Sequence, residues 1–343
     1  MPGKLRVLST ETEHHYHRAL YDPIGADVAV ERFRRRLVLD DDPRPLRAAL
    51  EGCDVFHVHW PEWLLGPDVE RNQRLIDELR AAGAAIVWTQ HNLLPHDGDT
   101  SVAPVYALWA RHADAVLHHS DWGRDRVTAT YPFRPGAMHV LVPHPHFGHL
   151  AGADGVRPAR GVVERELGLR AGALRLGVVG APRRDKDVGL VMRAVARCHR
   201  DDVELAVFSL ADGDEPVDDL RIRAWRYRMV PREEYERQLA VLDVLVLPFR
   251  TGDMLTTGTV GDAIAHGLPS LVSGWPFLTE VLGEGAIPYG ETEDDLARTI
   301  DGLGRSTLAR AGEAAAALRP VHAAPAVAAR LLEVLRAVTR ARP

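Results

Sequence analysis

Short apolar runs recur along the chain, each followed by a polar or glycine-containing turn and then by a stretch with helical spacing. The first runs occupy residues 5–9, 55–60, 85–90, 115–118 and 138–142. Runs of this length predict strands, 55–60 by alternating apolar residues with histidines, and their spacing between helical stretches predicts parallel pairing. Helical spacing fills 69–82, with Pro67 and Asp68 as start signals and Gly83 as the stop, and again 103–113. Between them, Glu11 to His17 is polar and predicts no definite element. Residues 149–160, rich in Gly, Ala and Pro, read as a linker. The alternation then restarts, with strands at 174–179, 203–210, 244–249, 270–273 and 286–289 and helices at 188–199, 233–242 and 260–266. Gly267 and Pro269 end the last of these helices. The tail, 291–342, is helical and Ala-rich, with a break near Pro320. This order predicts βαβ units and an α/β chain of two doubly wound, Rossmann-like domains facing across a cleft, residues 1–155 and 156–320. Ligands of such sheets sit at the carboxyl ends of the strands.

Composition narrows the class. The 343 residues suit two domains of ordinary size, and 46% hydrophobic with 26% charged residues describes a soluble globular protein. A net charge of -6 argues against a general nucleic-acid binder, though not against a local basic patch. No apolar signal-peptide run and no stretch of membrane-spanning length occur, which leaves at most weak peripheral membrane contact. Cys53 and Cys198 read as separate buried thiols, as in a reducing cytoplasm.

Two loops carry candidate chemistry. In the first, Thr256, Thr257, Gly258 and Thr259 lie between a strand and a helix start, where free backbone N–H groups and the helix dipole favour an anion. The same residues also suit an ordinary strand–loop–helix joint capped by a threonine. In the second, Gly180, Arg183, Arg184 and Lys186 follow the first strand of the second domain; three cations there suit a diphosphate or a solvated basic loop. Their common place on one sheet edge favours a shared anion site. Asp262 suits the two hydroxyls of a ribose or the dipole of its helix. Asp253 suits a sugar hydroxyl or an Asx-turn, and Glu280 a cleft or a surface charge. Among the histidines before residue 150, His91 stands directly at a strand end, where a parallel sheet places ligand-contacting groups, and is the one singled out over the plain structural role. A metal site is disfavoured: there is no H-E-x-x-H pair and no carboxylate placed as co-ligand. Trp60, Trp63 and His14 form an aromatic stretch that suits an acceptor sugar or plain core packing.

Assembled, these residues resemble the GT-B glycosyltransferases, close to the large retaining group typified by glycosyltransferase family 4. The resemblance covers nearly the whole chain. It rests on G-x-x-x-x-x-K at 180–186, V-P-x-x-E-Y at 230–235, L-P-F at 247–249, G-L-P at 267–269 and the later Glu280. DVFHVHWPE, IVWTQHN and ADAVLHHS agree in the first domain. The resemblance implies a metal-independent, retaining transfer from a nucleotide-diphosphate sugar to a saccharide, lipid-linked saccharide or natural-product hydroxyl, with no cofactor beyond the donor. It assigns Lys186 to the donor diphosphate, Asp262 to the ribose, His91 to the donor sugar and Ser120 to the donor side, and it sends the closing helix 321–343 back to the first domain. There are departures. Met254 stands where the group carries a first glutamate, with Asp253 next to it as a substitute. Ala181 replaces an arginine that Arg183 or Arg184 would supply, and Glu11 to His17 replaces a glycine-rich turn. Alternatives within the fold are an epimerase using Glu62 and Glu280, or a sugar-nucleotide binder without turnover; a metal-dependent hydrolase is a further class.

Overall fold

The computed structural model describes residues 3–39, 42–95, 98–148 and 159–341. The expected linker at 149–160 therefore lies, up to residue 158, outside the described residues. The chain divides into two compact units. One comprises Met1–Pro145, Asp253–Thr256 and Val321–Pro343; the other comprises His146–Gly252 and Thr257–Pro320.

The first unit is built on strands β1 (Leu5–Ser9), β2 (Val28–Arg32), β3 (Val55–Val58), β4 (Ala85–Thr89), β5 (Ala115–His118) and β6 (Met138–Leu141). They form one parallel sheet in the order β2-β1-β3-β4-β5-β6. β3, β4 and β5 are buried at every residue, as strands covered by helices on both faces must be. Helix Val69–Ala81 starts where Asp68 accepts from the backbone N–H of Arg71, and its apolar stripe Leu75, Ile76 and Leu79 packs into the core. The core centres on Phe56, Trp88 and Trp109; the Trp109 indole N–H donates to Asn72 Oδ1 at 2.9 Å, so its polar edge is satisfied. The segment read as indefinite, Glu11 to His17, runs into helix His15–Tyr21, started by His14 Nδ1 accepting from the Tyr16 N–H at 3.2 Å. The closing helix, Ala324–Arg340, buries Val327, Ala328, Leu331, Leu335 and Val338 on one face and packs against His15–Tyr21.

The second unit carries β7 (Leu174–Val178), β8 (Val203–Leu210), β9 (Ile222–Arg226), β10 (Val244–Leu247), β11 (Ser270–Val272) and β12 (Ala286–Pro288). Its order is β12-β11-β10-β7-β8-β9, again all parallel. Each unit is thus a six-stranded doubly wound sheet, as the alternation predicts. Two strands went unpredicted, β2 and β9. Both are edge strands with mostly exposed or half-buried residues, so neither shows a continuous apolar run. Among the described residues no helix is long and apolar enough to cross a membrane.

Candidate functional site

The strand order of the second unit reverses between β7 and β10, and the crevice at their carboxyl ends is where an open parallel sheet takes its ligand. Both basic and threonine loops start there. After β7 the chain turns at Gly180, whose φ of +82° suits only glycine without strain. The basic loop then folds back onto the segment after β10. Lys186 forms an antiparallel bridge with Phe249, Asp187 N–H donates to Pro248 O at 2.8 Å, and Arg250 N–H donates to Asp185 O at 2.7 Å. Lys186 is 7% exposed. Its Nζ donates to the carbonyls of Val179, Gly180 (3.2 Å) and Ala181 (3.4 Å), and lies 5.8 Å from the centre of the Phe249 ring. Among the described residues no carboxylate comes within ion-pair distance of it. Burial, reinforced by Arg183, brings its pKa down to about 7. Arg183 and Arg184 occupy the exposed side of the same loop.

The threonine loop leads into helix Gly258–His266. Thr257 is the residue before the first turn, yet it makes no side-chain cap; its hydroxyl pairs with Thr259 Oγ1 at 3.0 Å. Thr256 Oγ1 is buried without a hydrogen-bond partner among the described residues. A threonine cap was the plain alternative to an anion site, and this helix lacks one. Its first N–H groups have no side-chain acceptor. Gly180 brings the two loops together: a Cβ there would lie 3.3 Å from Thr259 Cγ2, 3.8 Å from Lys186 Nζ and 3.9 Å from Tyr235 Oη. Gly180, Lys186, Thr259 and Tyr235 therefore share one small volume, with room reserved by a missing side chain. A cavity of about 400 Å³ opens alongside, with Asp187, Phe249, Arg250 and Trp275 among its walls.

Asp262 is buried one turn further along the helix. Tyr235 Oη donates to one of its oxygens at 2.6 Å and Arg232 to the other at 3.2 Å. Burial pushes its carboxyl above the ordinary value, opposed by Arg232. Arg232 also pairs with Glu236, which His266 reaches at 2.8 Å. Asp262 is thus held by the chain itself, through the two residues that the V-P-x-x-E-Y segment supplies. Neither Arg232 nor Tyr235 was singled out in the sequence, although the motif contains both. Glu280 sits on the exposed side of helix Pro276–Leu282.

In the first unit, His91 follows β4 and is 7% exposed. Its ring stacks on Trp60 at 4.3 Å and 15°, and its Nε2 lies 3.4 Å from His59 Nδ1. Tyr16, from the unpredicted helix, stands at the centre of a ring of His59, His91, His119 and His144, with centroid separations of 5.9, 4.9, 5.4 and 5.0 Å. Burial holds His59, His91 and His144 well below their ordinary value and takes His119 to about 4. These rings are neutral at pH 7 and act by hydrogen bonding and stacking, not as cations. Among the described residues no group of three or more His, Cys, Asp or Glu side chains is arranged to hold a metal ion.

Residues 253–256 also belong to this unit. Met254 bridges Asn92 in antiparallel fashion, Leu93 N–H donates to Asp253 O at 2.6 Å, and Leu255 N–H donates to His91 O at 3.0 Å. Asp253 is thereby brought, exposed, beside the strand end that carries His91. Met254 itself is 2% exposed and packs as an apolar anchor. Ser120, assigned to the donor by resemblance, caps helix Asp121–Thr130, accepting from the Gly123 N–H at 2.9 Å. Where the group has a glycine-rich turn, Glu11 Oε1 accepts from the N–H groups of Thr12, Glu13 and His14 at 2.7, 2.6 and 3.1 Å.

No family model matches the chain. It is 25% identical over 311 residues to the GDP-mannose:glycolipid 4-beta-D-mannosyltransferase of Xanthomonas campestris pv. campestris (strain ATCC 33913), covering 82% of this chain and 77% of that protein. A second Xanthomonas campestris pv. campestris protein of the same name is 25% identical over 304 residues, 77% of this chain and 75% of its own. Among solved structures, the Anabaena HepE protein in complex with UDP superposes with a TM-score of 0.72 at 13% identity, covering 98% of this chain and all of that one. Sucrose-phosphate synthase from Thermosynechococcus elongatus gives 0.72 at 13% identity, with 99% and 100% covered. A glycosyltransferase from Rickettsia africae gives 0.74 at 10% identity, with 99% and 100% covered. Fold and sequence likeness agree: the chain is a glycosyltransferase of the GT-B fold.

Proposed function

We propose that the chain transfers a hexosyl group from a nucleotide-diphosphate sugar to a hydroxyl of a saccharide or glycolipid acceptor, without a metal ion, as a cytoplasmic enzyme. One observation carries the reading: an uncapped helix start, at Thr257 to Thr259, beside a buried Lys186 that has no carboxylate within ion-pair distance among the described residues. Helix-start N–H groups without a side-chain cap, and an ammonium met only by neutral carbonyls, are what a diphosphate would complement. In the reaction the bond from the anomeric carbon to the diphosphate oxygen breaks while one to the acceptor oxygen forms. Lys186, Arg183 or Arg184, and the N–H groups of the Thr256 to Thr259 segment neutralise the departing charge. His91, neutral, hydrogen-bonds the sugar. Asp262 fixes Tyr235 and Arg232 in the donor unit and retains lone pairs for a ribose hydroxyl. The relatives' names support a glycolipid acceptor and, among donors, GDP-mannose; HepE in complex with UDP supports a nucleoside diphosphate in this fold.

Retention, with the departing phosphate taking the acceptor proton, is the outcome that family 4 likeness supports. A second reading is favoured by the β-linkage in the relatives' names, since a β-linked product from an α-linked donor is an inversion. Asp253, exposed beside His91, would then take the proton. The test offers GDP-mannose and UDP-glucose with a glycolipid extract, in EDTA, and reads both nucleotide release and the anomeric coupling of the product by NMR. Acceptor-dependent release of one nucleotide supports the reading, and the coupling decides between retention and inversion. If no donor is consumed and neither GDP nor UDP raises the melting temperature, the reading fails.

A further inference from the structure

The segment that leaves β2 carries Arg32, Arg34, Arg35 and Arg36, all exposed and held in place by the buried Phe33 between them. With Thr10 and Trp63 they surround a cavity of about 620 Å³ in the first unit. Arg32 is answered by Glu13 at 2.7 Å. Among the described residues, Arg34, Arg35 and Arg36 have no carboxylate partner. Three guanidinium groups in one concavity, without a carboxylate partner among the described residues, repel each other and favour an anion between them. The opposite wall is Trp63, 56% exposed. Trp63 stacks on Trp60 at 4.4 Å, and Trp60 stacks on His91 at 4.3 Å. The cavity thus lies two ring-stacking steps from the histidine at the end of β4.

We propose that this cavity holds the phosphoryl group of an anionic acceptor, a saccharide linked through phosphate or diphosphate, whose sugar runs over Trp63 toward His91. The proposal rests on the glycosyltransferase reading and adds the chemical class of its acceptor. Guanidinium forks match phosphate oxygens two at a time, and three of them suit the two to three charges of a diphosphate better than the single charge of a carboxylate. An exposed indole face suits a sugar ring or the first units of an attached apolar chain.

The test titrates three probes into the protein, with whichever of GDP or UDP raises its melting temperature present at saturation so that the donor site is filled. The probes are farnesyl diphosphate below its micellar concentration, inorganic pyrophosphate, and vesicles of phosphatidylglycerol. The variants are Arg34→Ser with Arg35→Ser, and Trp63→Ala, all at exposed positions. Farnesyl diphosphate and pyrophosphate are expected to bind the wild type. The arginine pair should weaken both by roughly tenfold or more, as loss of charge-assisted bonds does. Trp63→Ala should weaken farnesyl diphosphate and leave pyrophosphate unchanged, and the nucleotide-induced melting shift should be the same in every variant. Binding of vesicles alone, lost in the arginine variant while both small probes stay silent, would make the patch a membrane-surface contact and overturn the proposal. So would small-probe binding that ignores the arginines. A protein that binds the small probes through Arg34 and Arg35 yet never responds to GDP or UDP would overturn the transferase reading and leave an anion site.

Discussion

Lys186 sets up a measurable exchange of protons with the donor. In the ligand-free protein its pKa is about 7, chiefly through burial. The ammonium is then about 50% populated at pH 7, about 9% at pH 8 and about 1% at pH 9. A diphosphate charge about 4 Å away is worth about 4 kcal/mol at the effective dielectric of a protein margin, enough to raise the bound pKa by about 3, to near 10. Binding at pH 8 should therefore take up about 0.9 proton per nucleotide at Lys186, and affinity should fall about fivefold from pH 7 to pH 8 and up to about fiftyfold by pH 9. The terminal phosphate of the nucleotide titrates near pH 6 and is already ionised in this window. Isothermal titration in two buffers of different ionisation enthalpy, at pH 8, reads the uptake directly. Lys186→Met keeps the apolar stem and should read close to zero. The sign of the stability effect follows from the same numbers. The unfolded chain holds this proton up to its ordinary value of 10.5 and the folded one only to about 7, so wild-type stability relative to Lys186→Met should rise with pH between those values. The penalty on the buried ammonium, complete below pH 7, is at most roughly 5 kcal/mol, less whatever its carbonyl bonds return. Equal proton uptake in the two proteins, or an affinity that does not change from pH 7 to pH 9, would refute the account of Lys186 as the diphosphate cation.

Three further outcomes are expected. Gly180→Ala places a side chain at φ +82° and 3.3 Å from Thr259, so it should lower stability by about 1–2 kcal/mol in thermal unfolding and abolish the nucleotide response; an unchanged response would mean the donor does not use that volume. Ser120→Ala removes a real cap and should cost about 1 kcal/mol with the nucleotide response intact, whereas Thr257→Ala, whose hydroxyl caps nothing, should cost less than about 0.5 kcal/mol and weaken the response. In acid, His57 and His118 hold out to about 3 and His17 and His119 to about 4, all through burial, so the unfolded chain binds more protons from pH 6.5 downward and stability falls as the pH falls. At pH 5 each costs roughly 2 kcal/mol, together close to the whole stability of a domain, and a circular dichroism titration that finds the first unit folded at pH 4 would contradict the burial of these rings.

Most of the sheet was legible because the central strands are mostly apolar, and a run such as 244–249 has no other economical reading. β2 and β9 were not, because an edge strand keeps charges on its open face. Helix His15–Tyr21 was hidden by its histidines and tyrosines, which look polar in a sequence and are buried among other rings in the fold. The donor loops were legible as loops, from glycine, threonine and basic residues at strand ends. Their partners were not. The hold of Tyr235 and Arg232 on Asp262 spans about thirty residues, and the pairing of residues 91–93 with 253–255 spans far more. Ser120 has the residue type of a ligand and the geometry of a cap, and only the Gly123 N–H distinguishes them. The arginines at 32 and 34–36 were not singled out in the sequence, and it is the fold that lines one cavity with them and an exposed indole.

Met254 shows how a departure from a family pattern is absorbed. A carboxylate at this position would have to be buried where the methionine packs, at the cost of desolvating its charge. The methionine instead anchors a short antiparallel pairing, and the backbone bonds to His91 and Leu93 hold the loop irrespective of side chain. In the proposed function, Asp253, exposed one residue earlier beside the histidine, takes the place of the polar contact to the sugar that the pattern loses. In the proposed function the diphosphate uses neither residue and is met by Gly180, Lys186 and the open helix start, which belong to the other unit. On that reading the methionine at 254 bears on which sugar is held and on which face it is attacked, and leaves the proposed anion site as it is.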